Sequence, residues 1–202
     1  MNTDFLSFSP IVIKLGSGVL AEPGGCALDK EQISRFALEI ATLKKRGFAV
    51  IMVTSAAVAA GVSYLGLSQR PNELVGKQAC AAIGQTALMA TYLHAFAEHE
   101  LAVAQLLLTY HDIYGDTSRQ YAQATLRYLL SLPSVIPIIN ENDSVATEEL
   151  SLGDNDRLSA EVAVMIGAQK LFLITNSDGL KIKPSEEKIP LEDWERISVV
   201  TD

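Results

Sequence analysis

The sequence predicts an α/β protein, a three-layer αβα sandwich built on a mainly parallel sheet. Apolar runs of strand length alternate with stretches of helical periodicity along most of the chain, the pattern left by parallel strands joined through crossover helices. The strand runs are continuously apolar, as expected where helices cover both faces of a sheet. The chain has 202 residues, 49% hydrophobic and 20% charged. That is enough for one domain with a sizeable core, and it excludes a disordered chain.

The elements follow in order. Ile11 to Leu15 reads as a buried strand closed by the turn Gly16-Ser17-Gly18. Asp29 is placed to cap a helix, and Gln32 completes a capping-box pattern. Ile33, Phe36, Ile40 and Leu43 give that helix one apolar face, and Gly47 ends it. Residues 48–53 form a second strand, with Thr54-Ser55 at its end. The small residues 56–61 suit a helix packed very close to a sheet. Residues 72–98 read as one or two alanine-rich helices, and 101–108 as a third strand. Asp116 or Thr117 caps a helix that Pro133 stops. Residues 135–139 form a fourth strand that runs into Asn140-Glu141-Asn142-Asp143. A helix over 156–166 and a fifth strand over 171–174 follow, the latter ending in Thr175-Asn176. From Lys181 the apolar runs shorten and an irregular excursion begins.

Composition removes several functions. Lys and Arg total 16 against 24 Asp and Glu, a net charge of −8, and no basic cluster stands ready for nucleic-acid phosphates. The two cysteines, Cys26 and Cys80, lie in no metal-ligand spacing, which points to a reducing, cytoplasmic setting. The N-terminus does not read as a signal peptide. No apolar stretch approaches the ~20 residues of a membrane span. Neither G-x-x-x-x-G-K-[ST] nor G-x-G-x-x-G occurs after a strand, so a P-loop and a dinucleotide fold are not indicated. His94, His99 and His111 have no ligand spacing and read as surface or loop residues, Lys77 as a solvated helix residue, and Tyr110, Tyr114 and Tyr121 as packing residues.

What remains is a set of polar residues just after the strands, where open parallel sheets bind ligands. Lys14 interrupts an apolar strand, a costly place for a lysine unless an anion compensates it. Gly16 and Gly18 beside it let backbone amides approach a phosphate, although a snorkelling strand-end lysine is the bland alternative. Asn140-Glu141-Asn142-Asp143 and Gly153-Asp154-Asn155-Asp156 combine amides with carboxylates, a set suited to an amino acid; either alone is also ordinary turn and cap chemistry. Their spacing fits no calcium loop, and no metal ligand is assigned.

These segments resemble glutamate 5-kinases of the amino acid kinase superfamily. The carrying stretches are Val12-Ile-Lys-Leu-Gly-Ser17, Val53-Thr-Ser-Ala-Ala-Val-Ala-Ala-Gly61, Lys77-Gln-Ala-Cys-Ala-Ala-Ile-Gly-Gln85, Ile138-Ile-Asn-Glu-Asn-Asp143 and Gly153-Asp-Asn-Asp-Arg-Leu-Ser-Ala160. The resemblance implies Mg²⁺-dependent transfer of the ATP γ-phosphate to the side-chain carboxylate of L-glutamate, the first step of proline synthesis, with proline as feedback inhibitor and a dimeric or tetrameric assembly. Carried over by position, Lys14 stabilises the transferred group, Asp154 orients that lysine, and Gly16 and Ser17 hold phosphate. Thr175 and Asn176 face ATP; Ser55, Asn140, Asp143, Asn155 and Asp156 bind glutamate. A non-catalytic glutamate- or proline-binding module and another amino acid kinase are the alternatives.

The chain departs from the pattern in places. Ala56 stands where the family has glycine, Asn176 where it has aspartate, Lys181 where it has tyrosine, and Tyr110-His111 where it tends to have Arg-Asp. The family's later Gly-Thr-Gly-Gly-Met…Lys segment and its RNA-binding-like C-terminal domain are not in these 202 residues. Residues 1–202 are therefore expected to be an amino acid kinase domain incomplete at its C-terminal end.

Overall fold

A computed structural model describes residues 10–22, 24–146 and 155–176, together with two short strands further on. Five strands form one sheet in the order β3-β4-β2-β1-β5. They are β1 (Ile11–Leu15), β2 (Val50–Val53), β3 (Ala102–Leu108), β4 (Val135–Glu141) and β5 (Lys170–Ile174). Every pairing in this sheet is parallel. The residues after Lys181 contain a two-stranded antiparallel ribbon, β6 (Lys181–Ile182) with β7 (Glu195–Arg196).

Helices cover both faces. On one side α2 (Lys30–Lys45), α3 (Ala57–Tyr64) and α4 (Leu74–Ala97) pack on Ile11, Ile13, Leu15, Val50, Met52, Ile136 and Ile138. On the other, α5 (Tyr110–Tyr114), α6 (Asp116–Ser131) and α7 (Asn155–Ile166) pack on Val12, Ile51, Val53 and Ile139. The short α1 (Ser17–Leu20) follows β1 directly. Strand periodicity then assigns the polar residues to layers. Lys14 shares the parity of Val12 and faces the α7 layer, whereas Asn140 shares that of Ile136 and Ile138 and faces α4.

The ends of α2 form as its sequence directs. The Asp29 side chain accepts from the Gln32 amide at 2.9 Å. The Gln32 side chain does not complete the expected box but accepts from Arg35 at 3.3 Å. Gly47, at φ 88°, closes the helix in a Schellman turn, with Phe48 N–H on the Leu43 carbonyl and Gly47 N–H on that of Lys44.

Several expectations change. The expected sheet is covered on both faces throughout; β1, β2 and most of β4 are buried, whereas β3 and β5, the outermost strands among the described residues, are half-buried or exposed except at Leu108. The small residues of α3 make their closest approach to α4, not to the sheet. A Cβ on Gly61 would lie 1.9 Å from the Cys80 carbonyl oxygen, and one on Gly84 1.8 Å from that of Ala57. The 72–98 stretch is a single helix of 24 residues. Gly115, not Asp116 or Thr117, occupies the cap of α6. Lys77 is half-buried. Tyr121 is 72% exposed and packs little, and the fully buried tyrosine is Tyr92. Tyr114 is a surface link: its hydroxyl donates to Glu161 at 2.6 Å and accepts from Arg157 at 3.0 Å, tying α5 to α7.

Candidate functional site

The carboxyl ends of β1, β2, β4 and β5 open into a cavity of about 810 Å³. Ser17, Gly18, Ser55, Asp143, Asn155 and Asn176 all line it. Residues more than a hundred positions apart meet here because parallel strands deliver every carboxyl end to one edge of the sheet.

At the β1 side, Lys14 is only 5% exposed. Its Nζ lies 2.5 Å from Oδ1 of Asp156, in the first turn of α7. The same ammonium would be 3.5 Å from a Cβ placed on Gly16, so it stands directly behind the glycine turn. Gly16 N–H donates to the Ile174 carbonyl at 3.0 Å, which ties the turn to the end of β5. The Asn176 amide folds so closely over Gly18 that a Cβ there would lie 2.7 Å from it. A side chain at position 18 would displace this amide, whereas one at position 16 would make ordinary contact with the Ile174 carbonyl and the Lys14 ammonium.

The β4 side rests on a chain of side-chain amides whose polarity a backbone group dictates. The Thr54 carbonyl can only accept, and it takes Asn155 Nδ2 at 2.8 Å. The same nitrogen reaches Ser55 Oγ at 2.9 Å and Asn140 Oδ1 at 3.1 Å. Asn140 must therefore turn its nitrogen outward, and it donates to Gln85 Oε1 on α4 at 2.8 Å. Asn140 is 1% exposed and its bond to Gln85 is buried, while the Asn155 links are half-buried; each missing link would leave a neighbour unpaired. Beneath it the buried Tyr92 hydroxyl meets Thr54 Oγ1 at 2.7 Å, and burial pushes its pKa up.

Asp143 has a different environment. Its pKa is raised to about 6, first by burial and then by the like charge of Glu141, while Arg70 pulls it down. A carboxylate held under such strain is stabilised by an incoming cation.

Structure and expectation meet unevenly. Lys14, Gly16, Ser17, Ser55, Asn140, Asp143, Asn155, Asp156 and Asn176 gather around the same strand ends. Thr175 follows β5 directly and is exposed. Asp154, expected to orient Lys14, lies outside the described residues; Asp156 is a described carboxylate on Lys14. Ala56 sits at φ 77°, ψ 13°, in the left-handed region that disfavours a Cβ, so the alanine at this position carries backbone strain.

Sequence reasoning assigned no role to Gln78, Gln85 or Arg70. Gln85 anchors Asn140, and Gln78 Nε2 donates to the Ala146 carbonyl at 3.0 Å, so α4 holds the stretch from Asn140 to Ala146 at both ends. Their spacing of seven, two helical turns apart on one face, was the available signal. Arg70 carried none, since it lies in a loop.

Comparison with known proteins identifies the family and the fold. The pattern described as "Amino acid kinase family" matches residues 9–199. The chain is 45% identical over 192 residues to glutamate 5-kinase 1 of Bacillus licheniformis, covering 95% of this chain and 52% of that protein. It is 46% identical over 190 residues to glutamate 5-kinase of Thermus thermophilus, covering 92% and 50%. The chain thus spans about half the length of the curated relatives it matches. Among solved structures, UMP kinase of Bacillus anthracis superposes with a TM-score of 0.54 at 14% identity, covering 94% of this chain and 72% of that one. At that identity the likeness concerns the fold.

Proposed function

The chain belongs to the amino acid kinase family, and from that premise we propose that it is the core of a glutamate 5-kinase, transferring the γ-phosphate of ATP to the side-chain carboxylate of L-glutamate. The observation that carries this reading is a near-buried lysine behind a glycine turn at one end of the cavity, with an amide-and-carboxylate set at the other.

Phosphoryl transfer asks little covalent chemistry of the protein; positioning and charge stabilisation dominate. In this reading Lys14 places its ammonium behind the Gly16-Ser17 turn, where negative charge develops on the transferred group. Asp156 holds that ammonium, and its neighbour Asp154, outside the described residues, is proposed to share the task. Ser55, Asn140 and Asn155 orient the amino acid through the side-chain amide chain, and Asp143 takes its ammonium. Thr175 and Asn176 face the nucleotide. Among the described residues no cluster of three or more His, Cys, Asp or Glu is poised for a metal. The Mg²⁺ of this reading would come with the ATP phosphates, supplying charge neutralisation there.

Proline feedback and homo-oligomeric assembly, as dimer or tetramer, belong to the same proposal and rest on the resemblance. Cytoplasmic residence rests on the cysteine usage. No described helix is long and apolar enough to cross a membrane. That residues 1–202 form part of a longer kinase domain is supported by the half-length coverage of the relatives.

A coupled assay of ADP release with L-glutamate, ATP and Mg²⁺, run beside calorimetric titration with L-glutamate, tests the reading. Glutamate-dependent ADP formation is expected. Glutamate uptake without ADP would replace the kinase with a non-catalytic binding module, and ADP formation only with another acid would point to a different amino acid kinase.

A further inference from the structure

The cavity at the strand ends is acidic for a site proposed to hold an anionic amino acid. Its described lining includes Glu22, Asp29, Glu141 and Asp143. Among those lining residues Arg70 is the one Lys or Arg. Asp29 is occupied in capping α2. Lys14 lies behind the glycine turn at the phosphate end, with Asp156 upon it.

An α-amino acid sets a demand that this lining meets in one place. Its ammonium and α-carboxylate sit on the same carbon, so an acid and a base must stand side by side to receive them. Arg70 and Asp143 line the same cavity and lie within electrostatic reach of each other. The reacting side-chain carboxylate points the other way, toward the glycine turn. A guanidinium suits the α-carboxylate, because its planar fork can donate two parallel hydrogen bonds to it.

The loop that carries Arg70 is braced. Pro71 restricts the backbone of the preceding residue to extended conformations. The Pro71 ring is seated against α4, where a Cβ on Gly76 would lie 2.8 Å from its Cβ. The first turn of α3, which lines the same cavity through Ala57, Val58 and Ala59, receives no side-chain cap. Its amide donors add to the positive field on this side.

We propose that Arg70 binds the α-carboxylate of the amino-acid substrate beside Asp143, making it a specificity-determining residue of the site. This rests on the kinase reading for the identity of the amino acid.

The test is calorimetric titration of the unaltered chain, Arg70→Gln and Arg70→Lys with two probes. L-glutamate has both carboxylates; 4-aminobutyrate keeps the amine and the distal carboxylate but lacks the α-carboxylate. Arg70→Gln is expected to weaken L-glutamate binding by about 10- to 100-fold and to leave 4-aminobutyrate unchanged, with Arg70→Lys in between. Arg70 is exposed in a loop, so the variants retain the fold, which circular dichroism verifies. Equal affinity of Arg70→Gln and the unaltered chain for L-glutamate, or equal losses with both probes, would overturn the assignment and leave the kinase reading standing. Arg70-dependent binding with no ADP formed would do the reverse.

Discussion

Lys14 at the end of β1 and Asp143 just beyond β4 both bring a charge to the same cleft, in opposite circumstances. Lys14 is almost wholly buried yet matched by Asp156 at 2.5 Å. Asp143 is half-buried, repelled by Glu141, and pushed to a pKa of about 6. At one end of the cleft the side chain already has a partner within the protein. The other is a strained carboxylate that an ammonium relieves. In the proposed kinase such a division suits a site that faces phosphate at one end and receives an amino acid at the other.

Removing the matched charge should have the largest effect. Lys14→Ala is expected to lower phosphoryl transfer by about 10³-fold, the scale of losing one stabilising group at a developing charge, while the circular dichroism spectrum stays that of a folded chain. ADP release at wild-type rate in this variant would refute its assignment. The support of the other end comes next. Gln85→Leu strips the acceptor from a buried Asn140 and is expected to cost about 2 kcal/mol in chemical denaturation, together with weaker glutamate binding. An unchanged denaturation midpoint would show that the amide chain is not held from α4.

Asp143→Asn separates binding from stability. The folded pKa of about 6 exceeds the ordinary 3.8, so the folded chain holds this proton more tightly than the unfolded one. Its ionisation therefore costs stability as pH rises from about 4 to about 6. The variant should lose glutamate affinity yet gain about 1 kcal/mol at pH 8, the gain fading between pH 6 and 4. The unaltered chain should likewise lose glutamate affinity below pH about 6, as Asp143 takes up its proton; a flat profile from pH 5 to 8 would remove it from the ammonium site. The smallest effect is at the strained turn. Ala56→Gly relieves a left-handed backbone, partly offset by glycine's greater entropy loss, and is expected to add about 0.5–1 kcal/mol and raise Tm by about 2–3 °C.

Much of this was legible in the sequence, for reasons that differ by residue. Strand and helix alternation, the Asp29 cap and the Gly47 stop are local events, controlled by neighbours a few positions away. Lys14 stood out because an apolar strand makes a charge conspicuous. Gln85 did not, because a glutamine in an alanine-rich helix looks like surface until its partner Asn140, 55 positions on, is in place. Tyr121 misled in the opposite sense, since an aromatic ring reads as packing wherever it occurs.

By itself the sequence determined the α/β class, the order of the elements and the kinds of groups gathered at the strand ends, because hydrophobic period, caps and turn residues act over a few residues. Only the tertiary structure decided which strands are edges, that Gly61 and Gly84 serve helix against helix, and that Asp156 rests on Lys14. It also brought Arg70 to the same cavity as Asp143. Those outcomes depend on contacts between distant segments, and nothing in a local pattern encodes the partner.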